Sequence, residues 1–252
     1  MNKKVLGFIV LVFALAAIGI VWAHQSRDGK VAARVTSSEE KHSQVDTSDQ
    51  GEVASESAAN PASQTQSLSV RHPFPEVPRT RDGMSFENDP GYAESKAEQR
   101  WLDRHGFPNE KQLEAYMVAP EALLKQASAA GDKVAQTILD ARLLPTDPLA
   151  QQRLVEAGAE GDLFALNMLA SYQGGSPNGD PVAAYAVSRV AEMRGDARAA
   201  ITRDLMISMP LTTDQRMLAE AEALRLNETI NQMYRAKHGT APVLDKRPIV
   251  GQ

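Results

Sequence analysis

Five histidines, His24, His42, His72, His105 and His238, are the side chains best suited to binding a metal or moving a proton near neutral pH. No two of them stand at the short helical spacing that puts paired ligands on one face, so neither a zinc site nor a histidine base is expected. The chain has no cysteine, which excludes a disulfide framework, a thiolate metal site, a cysteine nucleophile and a lipid-modified cysteine. Gly174-Gly175-Ser176-Pro177-Asn178-Gly179-Asp180 has the composition of a phosphate or calcium loop. It lacks the Lys-Ser/Thr of the first and the closing Glu of the second, and reads as a turn between helices. Asp103, Glu110 and Glu114 have basic neighbours and read as a solvated face rather than an acid/base pair. Asn227-Glu228-Thr229 fits a glycosylation sequon but falls on a predicted helix. No catalytic residue, metal or cofactor is expected. A net charge of −5 also argues against a nucleic-acid binder, which needs a basic face.

The elements that carry these residues fall into four segments. Lys3 and Lys4 precede an apolar run from Val5 to Ala23, long enough to cross a bilayer. Residues 1–23 are expected to be an uncleaved membrane anchor, with the rest of the chain exported across an inner membrane. The alternative is a signal peptide cut near Ala23, leaving a soluble periplasmic or secreted protein. Residues 24–85 are rich in Ser, Thr, Glu and Gln, then in Pro, and are expected to form a disordered tether. Within it, His72-Pro73-Phe74-Pro75-Glu76-Val77-Pro78 reads as a stiff spacer or as a segment packed on the domain edge. Residues 86–237 read as helices of ordinary length, with no period-2 strand, and the fold class is all-α. Residues 238–252 are expected to be a flexible tail.

One pattern recurs in the helical part. Ala127-x-x-x-Gly131-Asp132-x-x-Ala135 returns as Ala157-x-x-x-Gly161-Asp162-x-x-Ala165, then as Ala191-x-x-x-Gly195-Asp196-x-x-Ala199. Asp147-Pro148 and Asp180-Pro181 open helices between these turns. In each turn the Gly can end one helix in the left-handed region, and the Asp can cap the next. Such a unit is a helix pair whose apolar face needs a neighbour, and the arrangement expected is a short α-solenoid of stacked antiparallel pairs.

Gly161-Asp162-x-x-Ala165-x-x-x-Leu169-Ala170, Tyr172, Gly174, Asp180-x-x-x-Ala184 and Ala191-Glu192-x-x-Gly195 together resemble one Sel-one-like repeat, a relative of the tetratricopeptide repeat. The resemblance covers residues 161–195 specifically and 120–160 and 195–236 more weakly. Tyr172 sits one residue early, and Val187 stands where an aromatic is commoner. The resemblance implies a scaffold that binds another protein or peptide, with no catalytic residues to carry over. The alternatives are a secreted helical chaperone or inhibitor, and an enzyme of the cell envelope.

On such scaffolds the partner lies on the concave side, lined by the first helix of each pair. After Asp162, Ala165 and Leu169 are expected to pack inward, leaving Phe164, Asn167 and Ser171 on a face open to a partner. Met193, Met206, Met209, Met217 and Met233 read as core filling, or as an adaptable groove. The helix after Pro210 is expected to bury Leu218, Ala221, Leu224 and Ile230 and to close the open end of the stack.

Overall fold

The computed structural model describes residues 71–207 and 209–248. The anchor expected at 5–23 and the tether up to residue 70 lie outside them. Among the described residues every regular element is a helix, and no helix is long and apolar enough to cross a membrane.

Nine helices follow one another among the described residues: α1 (Lys96–Arg104), α2 (Glu110–Val118), α3 (Glu121–Ala129), α4 (Lys133–Leu143), α5 (Ala150–Ala159), α6 (Leu163–Gly175), α7 (Pro181–Met193), α8 (Ala197–Met206) and α9 (Thr213–His238). From α3 to α8 each packs on the next; α4 and α8 also touch α6, and α9 lies along α7 and α5. Their starts are chemically marked. Ser95 caps α1, Asn109 and Thr212 form capping boxes on α2 and α9, and Asp180 caps α7 with Pro181 at its first position. Asp147-Pro148 differs from that pattern. Asp147 accepts the Leu149 amide, and α5 begins only at Ala150.

The three Gly-Asp turns share one geometry. Gly131, Gly161 and Gly195 have φ of +87°, +93° and +115°, where a side chain would be strained. The amides of Asp132, Asp162 and Asp196 then donate to the carbonyls of Ala127, Ala157 and Ala191 at 3.1, 3.0 and 3.0 Å. This closes each preceding helix in a Schellman motif, and gives the leading Ala of the repeat a backbone role. Asp132 and Asp162 accept the amides of Ala135 and Ala165 at 3.0 and 2.9 Å. Asp196 caps through the Arg198 amide instead, and Arg247 donates to the same carboxylate oxygen.

Three expectations need correction. The tether does not extend to residue 85. Val77 and Arg81 are buried, and the ring of Phe74 packs 5.1 Å from that of Tyr116. The tail is not loose through residue 248, because residues 240–248 form a strap back across α1. The Trp101 indole donates to the Asp245 carbonyl at 2.9 Å, and the Asp245 carboxylate meets Arg104 and His105. Arg247 is buried, pairing with Glu98 at 2.7 Å and with Asp196 at 3.2 Å. The backbone passes so close to Gly195 that a Cβ there would lie 2.4 Å from the Asp245 carbonyl.

The third correction concerns α9. Its buried line runs through Ala219, Ala223 and Ile230, with Leu226 and Met233 packed beside them, a 4-3-4-3 spacing. Leu218 and Leu224 are exposed instead. The methionines divide as well: Met206 is core, Met233 packs against it, and Met209 and Met217 are exposed.

Removing one member of a buried ion pair leaves the other charge desolvated. Arg247→Ala, which takes the guanidinium from Asp196 and leaves Glu98 with Arg198 at 3.1 Å, is expected to cost about 3 kcal/mol in urea unfolding. The exposed neighbour supplies the reference: Lys246→Ala should stay within about 0.5 kcal/mol.

Candidate functional site

A cleft of about 300 Å³ opens where α2, α6, α8 and the loop over residues 86–94 converge. Its floor is apolar. Leu113 and Met117 come from α2, Phe164 and Met168 from α6, Ile201 and Leu205 from α8, and Phe107 from the turn after α1. Phe107 joins the two halves of the core, its ring 6.0 Å from Trp101 and 5.7 Å from Phe164.

The α8 wall follows from the repeat. Counting from the capping Asp, Phe164 and Asn167 occupy the second and fifth positions of α6. The same positions of α8 are Arg198 and Ile201, and all four side chains line the cleft. Met168 and Thr202, at the sixth position, line it too. α6 and α8, which touch, therefore present the same helix positions along one wall.

The loop wall is held in place by two buried arginines. Arg81 donates to Asp89 at 2.9 Å, to Asp103 at 2.6 Å and to the carbonyls of Phe107 and Pro108. Arg247 donates to the Gly91 carbonyl. The two arginines thus grip the loop at Asp89 and at Gly91, from opposite ends of the described chain. Tyr92, between these grips and the rest of the rim, takes φ of +56°, a backbone conformation disfavoured for an aromatic residue. Burial raises its phenol pKa above the ordinary value.

Of the three residues expected to meet a partner, Phe164 and Asn167 line the cleft and Ser171 does not. Phe164 is only 8% exposed, packed against Phe107 in the core rather than free on an open face. Asn167 is half-buried on the wall. The Ser171 hydroxyl lies 3.5 Å from the Met206 sulfur, and so faces α8. Sequence reasoning missed the α8 residues, although the repeat register points to Ile201 directly. It missed the 86–94 loop because that loop repeats nothing.

The repeat aspartates differ in what else they hold. Asp132 accepts the Tyr116 hydroxyl at 2.6 Å, with His72 at 3.2 Å and Arg79 at 3.4 Å. Asp162 accepts the Thr137 hydroxyl at 2.9 Å, and its carboxylate fills the space where Gly106 lacks a side chain. Burial pushes the Asp162 carboxyl up to about 6, opposed by the Ala165 amide, the Thr137 hydroxyl and the charges of Lys133 and His105. Burial also raises the Asp196 carboxyl pKa, against the pull of Arg247. Among the described residues no three His, Asp or Glu side chains converge as a metal-ligand set.

Comparison of the chain with protein-family models, with curated proteins and with solved structures gives no match.

Two measurements follow. Phe164→Ala should destabilise the protein by about 3–5 kcal/mol through lost packing, whereas Asn167→Ala should change stability by less than about 1 kcal/mol. Asp162 also gives stability a pH dependence. Its folded pKa lies above its ordinary value of 3.8, so its contribution is complete below pH 3.8 and is lost as pH rises through about 6. Asp162→Asn has no such titration. Relative to Asp162→Asn, the native chain should lose on the order of 2–3 kcal/mol between pH 3.5 and pH 7 in chemical denaturation.

Proposed function

We propose that this chain is a membrane-tethered scaffold of Sel-one-like helix pairs that holds another protein or peptide in the cleft between α2, α6 and α8. The anchor of this reading is residues 5–23, and the helical part works outside the cytoplasm. The cleft is the observation that carries it. A hollow of about 300 Å³ with an apolar floor, lined also by Asn167 and by the charged side chains of Glu87, Glu94, Asp196, Arg198 and Arg247, suits one or two anchoring side chains of a peptide, rather than a whole helix. Ile201 and Leu205 are 71% and 54% exposed within it. Covering such side chains is worth about 1.5–3 kcal/mol each, which is the usual energy of an interface anchor. The wall is built from equivalent positions of successive first helices, the side on which a helix-pair scaffold receives its partner.

The test is photo-crosslinking of the full chain in its native host, with the reactive side chain placed at Asn167, Ile201 or Leu149. Leu149 is exposed but stands outside the cleft. The expected result is one reproducible adduct from positions 167 and 201, in the membrane fraction, and none from 149. Equal labelling from all three positions, or adducts from 149 alone, would overturn the reading. Recovery of a soluble chain beginning at His24 would remove the tether and leave the cleft.

A further inference from the structure

The cleft changes character along α8. Asp196 and Arg198 line it at the start of that helix, and Ile201 and Leu205 line it further on. Glu94 meets Arg198 at 3.4 Å and Arg247 meets Asp196 at 3.2 Å, so both join the charged end. The guanidiniums there are already matched. Arg247 is buried against Glu98 at 2.7 Å as well as Asp196, and Arg198 turns its Nε to the same Glu98 at 3.1 Å. Glu98 is fully buried behind the lining. What faces solvent is carboxylate. Glu94 is exposed, and Glu87, on the same loop wall, is exposed with no ion pair among the described residues. Lys96 does not offset them within the lining. Its ammonium sits over the Phe86 ring, 5.1 Å from the centroid, and bonds Gln99 at 3.0 Å. Four carboxylates, Glu87, Glu94, Glu98 and Asp196, thus stand against two guanidiniums, Arg198 and Arg247.

We propose that the segment held in the cleft is basic as well as aliphatic. Its Lys or Arg lies on the rim against Glu87 and Glu94, and a nearby aliphatic side chain covers Ile201 and Leu205. This deepens the scaffold reading and rests on it for its functional meaning.

Charge and spacing together define the pattern. A helix rises about 1.5 Å per residue, so Ile201 and Leu205 lie about 4.5 and about 10.5 Å along α8 from Arg198. In an extended peptide, residues two apart point to one side and are separated by about 6.5–7 Å. A basic and an aliphatic side chain at that separation reach from the charged end of the wall to the apolar one. The alternatives meet a cost. An acidic segment would face carboxylates that the guanidiniums do not offset, and a wholly apolar one would cover Glu94 without giving it a partner. The rim also carries Phe86 and Tyr92, and the face of an aromatic ring attracts a cation.

The probe is a library of random linear octapeptides displayed on phage and selected on the full chain immobilised in detergent. Parallel selections use Glu87→Arg, the pair Glu87→Arg with Glu94→Gln, and Ile201→Asp. Peptides selected by the native chain are expected to carry Lys or Arg two residues from Leu, Ile, Val or Met, about five-fold above the unselected library. That pattern should fall to background on the double variant, and Ile201→Asp should select nothing. Because Glu87 is exposed and makes no ion pair, Glu87→Arg alone tests charge without disturbing the fold. It should weaken the strongest native-selected peptide by about five-fold. A purely aliphatic pattern, or the same pattern on the native chain and the charge variants, would overturn the proposal and leave the scaffold reading standing. No peptide that distinguishes the native chain from Ile201→Asp would sink both. The basic pattern without any photo-crosslinked adduct in the host would keep this preference and remove the scaffold role.

Discussion

The arrangement depends on the need to keep buried carboxylates bonded. Asp132, Asp162 and Asp196 are all buried, and each sits at the start of a helix that packs into the core. A capping bond to one amide leaves lone pairs unsatisfied in a region of low dielectric. Each Asp therefore takes a further donor from elsewhere: Tyr116 on α2, Thr137 on α4 and Arg247 on the strap. A residue whose local purpose is to start a helix thus also fixes where the preceding layer, or the returning tail, must lie. The register of one helix against the next is set by hydrogen bonds as well as by apolar packing.

The cleft is a by-product of the same constraint. α6 and α8 begin at equivalent aspartates and present equivalent positions side by side. The third wall repeats nothing and is pinned by charge. Arg81 and Arg247 are buried, with Asp89, Asp103, Glu98 and Asp196 as their partners. Such pairs add little net stability over apolar side chains, but each guanidinium makes several directed bonds that an apolar side chain cannot. Those bonds hold a short loop in one position beside an apolar hollow.

What was legible in the sequence was local. Capping residues, helix-ending glycines and the Gly-Asp turns depend on neighbours a few positions away, and Asp132, Asp162 and Asp180 act as their spacing indicates. The face of α9 was not legible, because the helix carries two apolar lines. Of the expected Leu218, Ala221, Leu224 and Ile230, Ile230 is buried and the other three are exposed, while Ala219 and Ala223 are buried in place of the two leucines. Small residues win where helices approach closely, and that depends on the neighbour rather than on the helix. Arg81 and Arg247 stand in segments with the composition of a tether and of a tail. Arg247 has its partners 149 and 51 positions away, and no periodicity could bring them together. Phe164 was expected on an open face, yet it is buried against Phe107, which belongs to no repeat.

The strap also has a consequence for how the protein is made. Helix pairs that contact only their neighbours can form one after another as the chain emerges. Here Trp101 meets Asp245 and Gly91 meets Arg247, across separations of 144 and 156 residues. Closing so large a loop carries an entropic cost, recovered only when the last contacts are made together. During synthesis the early helices wait, with Glu98 and Asp196 lacking the guanidinium that joins them, until residue 247 has left the ribosome. A ribosome that stalls before Arg247 leaves α1 ion-paired with α8 through Arg198, which meets Glu94 and Glu98, while Glu98 lacks its second guanidinium.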